Sequence, residues 1–285
     1  LMIVNINDEF FEKDYAKISV YDHGFLYGDG VFEGLRVYNG HIFQLAKHLI
    51  RLYESAKALC IDVPIGPDEM ERRMLQCVNK DQTKEGYIRL IVTRGIGPLG
   101  IDPEKCQQSN IIIILDNIEL YPKELYKSGI GIITASVRRN RPDMMNPRIK
   151  SMNYINNILA RIEARCAGFL EALILNEKGF VAECTADNIF IVKYDEIFTP
   201  DIHEGALEGI TRQVVIDCAT DLGYRTHESR ISQFDLYTAH EVFIAGTACE
   251  IMPVIKIDGR TIGDSKPGPV FQHLLDKFQS LINNL

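Results

Sequence analysis

Asn146-Pro147-Arg148-Ile149-Lys150-Ser151-Met152-Asn153-Tyr154 is the stretch on which the reading of this chain turns. A proline restricts the approach, a lysine follows it, and a tyrosine stands four residues later at the mouth of a strongly helical segment. Upstream, residues 138–148 are rich in Arg, Asn and Pro and lack periodicity, which marks a loop of the kind that holds sites more often than cores. Downstream, a helix is predicted over 153–167, with Ile155, Ile158, Leu159 and Ile162 assigned to its buried face by their spacing.

Working outward, Lys17-Ile18-Ser19-Val20 alternates as a strand would, and Leu35-Arg-Val-Tyr38 follows the glycine-rich stretch at 24–34. Asn39-Gly40 is a two-residue hairpin signal leading into His41-Ile42-Phe43. Leu45, Leu49, Leu52, Ala56 and Leu59 trace one apolar stripe on a helix over Gln44–Cys60, and a second helix is expected at Pro67–Lys80. Gly86–Thr93 and Asn110–Leu115 read as strands, the latter fully buried because its apolar run is unbroken. The order implies an α+β domain over 1–119, a connector over 120–128 in which Pro122 stops any continuing strand, and a larger domain over 129–285. In the larger domain, strands are expected at 129–137, 171–176, 180–183, 188–192 and 241–245. The turn at Asn176-Glu-Lys-Gly179 has its glycine suited to positive φ, and helices are placed at about 210–222 and 268–283.

Composition narrows the function. A net charge of −8 argues against a general surface for nucleic acid or anionic membrane, while leaving room for a local basic pocket. Seven cysteines without a CxxC pair, in an odd total, fit neither a disulfide framework nor a zinc site, so reduced thiols in a cytoplasmic protein are expected and no metal. The first residues lack the basic start and apolar core of a signal peptide, and no uncharged apolar run reaches membrane-spanning length.

The residues that can carry chemistry begin with Lys150. Taken alone, a lysine is most often a solvated surface residue, and a Schiff base needs an amine that can lose its proton near neutral pH. Glu183, in Val181-Ala182-Glu183, ends an apolar strand 33 residues later, where it is either an edge glutamate in water or a carboxylate for a ring nitrogen. Gly209-Ile210-Thr211-Arg212 opens a helix, and Ala245-Gly246-Thr247-Ala248 is a small-residue turn. Both offer backbone N–H groups to an anion, although a threonine at a helix start is usually a cap. Lysine, tyrosine, glutamate and phosphate-sized backbone pockets are together the components of a pyridoxal-phosphate site.

Their order, with Tyr27-Gly-Asp-Gly-Val-Phe-Glu-Gly-Leu-Arg36 near the start, resembles a class IV aminotransferase of the branched-chain type, from about Ile18 to Pro253. The resemblance implies a two-domain α/β (α+β) fold with the pyridoxal 5′-phosphate cleft between domains. It implies Lys150 as the Schiff-base lysine and general base, Glu183 against the pyridine nitrogen, and Tyr154 on the cofactor's phenolate oxygen. Arg51, Ile210, Thr211 and Thr247 would hold the phosphate. For substrate it implies Tyr27, Phe32 and Tyr87 as an apolar wall and Arg89 for the distal carboxylate of glutamate. The amides at Thr247 and Ala248 would take the α-carboxylate, with help from Arg36. Alternation puts Tyr87 and Arg89 on one strand face, as a shared pocket requires, although a cross-strand surface pair would look the same. Cys184 and Ala186 depart from the commonest Glu-Gly-x-Gly form of the family.

The implied reaction is reversible amino transfer from L-leucine, L-isoleucine or L-valine to 2-oxoglutarate, a step of branched-chain amino-acid biosynthesis. The implied assembly is a homodimer or a multiple of dimers, with the apolar loop Gly95–Ile101 against the partner. D-amino-acid aminotransferase and aminodeoxychorismate lyase share the fold and stand as alternatives. Arg94–Asp102 together with Tyr87-Ile-Arg89 favours the branched-chain group. A non-catalytic binding descendant is a remote alternative that the lysine, tyrosine and glutamate argue against. The preference among Leu, Ile and Val is not legible.

Overall fold

Two runs of strands, each with its own helices, make up the chain. The computed structural model describes residues 3–118 and 121–285. It divides into one unit of Leu1–Ile118 with Ile149–Asn153 and Leu285, and a second of Glu119–Arg148 with Tyr154–Asn284. The expected domain junction at residues 119 and 120 lies outside the described residues.

In the first unit, β1 (Ile3–Ile6), β2 (Glu9–Glu12), β3 (Gly30–Tyr38), β4 (His41–Ile42), β5 (Gly86–Thr93) and β6 (Asn110–Asp116) form an antiparallel sheet in the order β2-β1-β6-β5-β3-β4. Asn39 and Gly40 both have positive φ, as the hairpin turn demands. Helix α1 (His23–Tyr27) precedes β3, while α2 (Leu45–Ala58) and α3 (Pro67–Asp81) cover one face of the sheet. Leu49, Leu52, Met70 and Met74 pack there on Val31, Leu35, Val37, Ile88, Leu90 and Val92. The other face carries Phe32, Gly34 and Arg36 of β3 opposite Ile91, Arg89 and Tyr87 of β5. β6 was expected to be buried throughout, but Ile114 is only half-buried because it lies opposite Arg89 on that second face. Lys17–Val20 forms no strand and leaves Ile18 and Val20 exposed. A strand needs a ladder partner for its N–H and C=O groups, and β1 and β2 take the edge instead.

The second unit holds β7 (Ile130–Arg138), β8 (Glu171–Leu175), β9 (Val181–Cys184), β10 (Asn188–Lys193), β11 (Glu196–Pro200), β12 (Thr226–Ser229), β13 (Glu241–Gly246), β14 (Glu250–Ile257) and β15 (Arg260–Thr261). The order is β12-β11-β10-β13-β14-β7-β8-β9, with β15 on β14. Helices α4 (Leu125–Ser128), α5 (Ile155–Cys166), α6 (Ile210–Asp221), α7 (Gln233–Tyr237) and α8 (Pro269–Asn283) complete it. Of these, α5 packs on β7 and β8, and α6 and α8 pack on each other and on β13. β12 is polar and β14 contains Pro253, so neither announces itself in the sequence.

Helix α5 overturns one expectation. Ile155, Ile158, Leu159 and Ile162 are exposed, from 46% to 61%, while Asn157, Ala160 and Ala164 are buried. The helix carries two stripes, one of large aliphatics and one of small residues. Alanine lets it lie close on Ala135, Ala172 and Ile174 of the sheet, and that closer packing decides which face goes inside. Among the described residues, no helix is long and apolar enough to cross a membrane.

Candidate active site

In the first unit the lysine segment is laid along the start of β3. Phe32 N donates to Lys150 O at 3.0 Å, Met152 N donates to Gly30 O at 2.8 Å, and Ser151 bridges to Val31. From α2, Ser55 Oγ accepts a hydrogen bond from Lys150 N at 3.2 Å. These bonds bring the Lys150 amine to 4.7 Å from the centroid of the Phe32 ring. The Arg89 guanidinium sits over the same ring at 4.5 Å, and its Nη2 lies 3.4 Å from the Tyr87 hydroxyl. Phe32, Tyr87, Arg89 and Lys150 are therefore one cluster, in which Tyr87 and Arg89 share a strand face as the alternation in β5 predicts. Gly34 makes room for it, because a Cβ there would come within 1.9 Å of the Tyr87 hydroxyl. Arg36 is half-buried on the same strand face, its guanidinium 5.4 Å from the Tyr38 ring.

Tyr27 belongs to a different group. It ends α1, and its hydroxyl accepts a hydrogen bond from Gly100 N at 2.9 Å. His23 Nε2 lies 3.0 Å from Pro98 O and stacks edge-on against Tyr27, so α1 grips the loop over 95–101. That loop points Ile96, Leu99 and Ile101 into solvent.

Arg51 is nearly buried on α2, and its partner is Glu33, fully buried on β3. Arg51 Nε donates to Glu33 Oε1 and Nη2 donates to Oε2, both at 2.7 Å, and His48 Nδ1 lies 2.7 Å from Oε2. Burial alone would raise the Glu33 carboxyl, but the charge and hydrogen bonds of Arg51, with His48, hold it down at about 2. The same burial pushes His48 below its usual value, against the pull of Glu33. An ionised Glu33 can only accept, so His48 Nδ1 carries the proton toward it.

The second unit gathers the remaining candidates. Glu183 is buried on β9, where Arg139 Nη2 reaches its Oε1 at 2.5 Å. Its Oε2 accepts from Leu207 N at 2.9 Å and from Asn188 Nδ2 at 3.2 Å. Arg139 is itself held by Gly205 O and by Asn157 Oδ1, and Asn157 Nδ2 donates to Thr185 O. Tyr154 is the N-cap residue of α5, one turn before Asn157, and so stands at this cluster's helix. On the other side, Asn188 Nδ2 also donates to Leu207 O just before α6. Gly209 caps α6 with no side-chain bond, and a Cβ on it would come within 2.0 Å of Asn188 Oδ1. Ile210 and Thr211 thus open the helix with no side-chain cap on its first N–H groups among the described residues. Thr247 and Ala248 form the turn between β13 and β14, half-buried beside Gly246. Cys184 and Ala186 both keep negative φ, so the glycines of the commoner motif are not required for this backbone.

Four buried polar side chains that hold or neighbour the candidate groups escaped the sequence reading. Glu33 stands in the Val31-Glu33-Leu35-Val37 register, a charge in a core slot, and His48 is one helical turn before Arg51. Arg139 opens the loop already marked as site-like. Asp187 lies under the Gly246 turn: Cys249 Sγ donates to its Oδ1 at 3.1 Å, and its Oδ2 has no partner among the described residues. Burial, with the nearby Glu171 charge, pushes the Asp187 carboxyl up to about 7. Burial raises the Cys184 and Cys249 thiols well above their usual range.

The donor chemistry fits pyridoxal phosphate part by part. The first unit supplies an amine at Lys150 and a pre-set guanidinium at Arg51. The second supplies a buried carboxylate, a phenol at a helix start, an uncapped helix N-terminus and a threonine turn.

Comparison with known proteins follows the same line. Residues 30–257 match the family described as amino-transferase class IV. A Methanocaldococcus jannaschii protein, whose own assignment as a branched-chain-amino-acid aminotransferase is provisional, is 48% identical over 98% of this chain and 96% of its own. The Escherichia coli branched-chain amino acid aminotransferase structure superposes with a TM-score of 0.95 at 32% identity, over 98% of this chain and 94% of that one. The branched-chain amino acid aminotransferase of T.th., complexed with N-(5′-phosphopyridoxyl)-L-glutamate, gives 0.93 at 36% identity over 99% and 94%.

Proposed function

Because this chain belongs to the class IV aminotransferases, we propose that it moves amino groups reversibly between L-leucine, L-isoleucine or L-valine and 2-oxoglutarate, with pyridoxal phosphate as cofactor. The observation that carries the substrate reading is the cluster on β3 and β5. There one aromatic ring, Phe32, has the Lys150 amine at 4.7 Å and the Arg89 guanidinium at 4.5 Å from its centroid. A site that accepts both leucine and glutamate needs an apolar wall and, within reach of it, a cation. Burying the distal carboxylate of glutamate unpaired would be strongly unfavourable. Phe32 and Tyr87 supply the wall, and Arg89 supplies the cation.

When bound, pyridoxal phosphate supplies the carbon that takes the amino group and a ring that absorbs the electrons released at the substrate Cα. The chain's own residues do the rest. Lys150 would hold the cofactor's carbon through its amine and, once released, would act as the base that moves the proton at the substrate Cα. Glu183, held by Arg139, Asn188 and Leu207 N, would face the ring nitrogen and hold its proton. Tyr154 would hydrogen-bond the ring oxygen. Arg51, the first N–H groups of α6 at Ile210 and Thr211, and the Thr247 hydroxyl are the donors that would hold the phosphate. The amides of Thr247 and Ala248 take the α-carboxylate, and Arg36 adds positive charge to the β3 face.

The protein acts as a homodimer or a multiple of dimers in the cytoplasm. Ile96, Leu99 and Ile101, on a loop bonded to Tyr27 and His23, form an apolar surface that a second copy would cover, bringing Tyr27 with it. The free cysteines suit a reducing compartment.

The decisive experiment is single-turnover kinetics of each half-reaction with leucine, isoleucine, valine and glutamate, and with their D-isomers. Fast turnover of the L-amino acids is expected. Faster reaction of the D-series would move the protein to the D-amino-acid group. Borohydride reduction and peptide mapping should place the cofactor label on Lys150, and a label elsewhere would sink the assignment. Sedimentation should find dimers, and full activity in a monomeric species would refute the assembly.

A further inference from the structure

Glu33 has no part in the chemistry above, yet it occupies a costly position. It sits where the β3 alternation calls for a core residue, between Val31 and Leu35, and is wholly removed from solvent. A charge there is tolerated only if it is paired and hydrogen-bonded. Its side-chain hydrogen bonds come from α2: Arg51 Nε and Nη2 grip the carboxylate fork to fork, and His48 Nδ1 donates to the second oxygen. One turn further along the same helix, Ser55 Oγ accepts from Lys150 N. Next to Glu33, Phe32 N donates to Lys150 O. Residues 48, 51 and 55 thus form one helix face that fixes both a guanidinium and the lysine segment.

We infer that Glu33 is a positioning residue for the cofactor phosphate: with His48 it sets the plane and direction of the Arg51 guanidinium before the phosphate arrives. This rests on the reading of Arg51 as a phosphate ligand. An unrestrained arginine must lose rotamer freedom when it binds, and a bidentate carboxylate removes that cost in advance. The bidentate geometry fixes the guanidinium plane, which a single charge contact would not. His48, kept neutral by burial and proton-donating toward Glu33, blocks rotation of the carboxylate without adding a second cation.

The test compares two probes, pyridoxal 5′-phosphate and phosphate-free pyridoxal, by equilibrium binding to cofactor-stripped protein. Glu33→Gln should weaken pyridoxal phosphate about ten- to a hundredfold, as loss of an orienting partner does at other ligand sites, and leave pyridoxal unchanged. Arg51→Met should weaken pyridoxal phosphate at least as much. The double variant should bind no more weakly than Arg51→Met alone, because both act through one guanidinium. Pyridoxal binding serves as the check on folding. If Glu33→Gln does not fold, Glu33→Asp, which keeps the charge but shortens the reach, should fall between parent and Arg51→Met. Normal pyridoxal-phosphate affinity in a folded Glu33 variant, with a selective loss in Arg51→Met, overturns the inference and leaves the Arg51 reading standing. An Arg51→Met variant that binds both probes like the parent overturns both.

Discussion

Two buried carboxylates, Glu33 in the first unit and Asp187 in the second, are kept in opposite ways. In the first, Glu33 is ringed by an arginine and a histidine and titrates at about 2. In the second, Glu183 has Arg139, Asn188 and a backbone N–H on it, whereas four residues away Asp187 has, among the described residues, only a thiol on its carboxyl and is pushed by burial up to about 7. A buried carboxylate with a fork-shaped cation is a fixed charge that can orient a ligand. One without it is a proton store whose charge depends on pH. Burial is complete or nearly so in both Glu33 and Asp187, so the partner decides.

The contrast can be broken most severely at Arg139. Arg139→Met would leave Glu183 buried and uncompensated, and a loss of about 3–5 kcal/mol in unfolding free energy is expected. Denaturant unfolding of the variant measures it, and a stability within error of the parent would show that the pair is not needed. Glu183→Gln probes the same pair from the side of the chemistry. Cofactor should remain bound while Cα deprotonation slows about 10²–10³-fold, corresponding to about 3–4 kcal/mol. Near-normal turnover would place the ring-nitrogen partner elsewhere.

A cation that serves substrate rather than a carboxylate should behave differently again. Arg89→Gln is expected to cost the glutamate half-reaction about 2–4 kcal/mol of transition-state binding, and the leucine half-reaction far less. Equal losses would make Arg89 structural. The smallest effect is expected at Asp187. Its folded-state carboxyl is raised above the usual value of 3.8, so its contribution to stability is fully present below about pH 4 and is lost as pH rises through about 7. Asp187→Asn lacks that loss. It should match the parent near pH 4 and exceed it by about 1–3 kcal/mol at pH 8, the usual cost of an unsatisfied buried group. Parallel stability curves from pH 4 to 8 would show that Asp187 does not titrate there.

Local pattern accounts for much of the molecule. The Asn39-Gly40 hairpin, the stripe on α2, the start of α3 at Pro67 and the strand Gly86–Thr93 each follow from a period or a turn residue that acts over a few positions. The grouping of Tyr87 and Arg89 with Phe32 follows from alternation plus one cross-strand register. The sequence of α5 could not reveal its buried face, because two stripes competed and the closeness of β7 and β8 chose the alanines. Nor could it rank Lys17–Val20 below the edge strands, since a strand exists only when a neighbour offers its ladder.

What the sequence by itself determined, then, is many of the elements, the family, and the residues proposed to carry the chemistry: Lys150, Tyr154, Glu183, Arg51 and Arg89. What only the tertiary structure decided is how those charges are held. Glu33 meets Arg51 across 18 positions and Arg139 meets Glu183 across 44, and nothing periodic links such distances. Ionisation and orientation of a buried group depend on which partner the fold brings within about 3 Å, because away from water that partner is the group's only solvation.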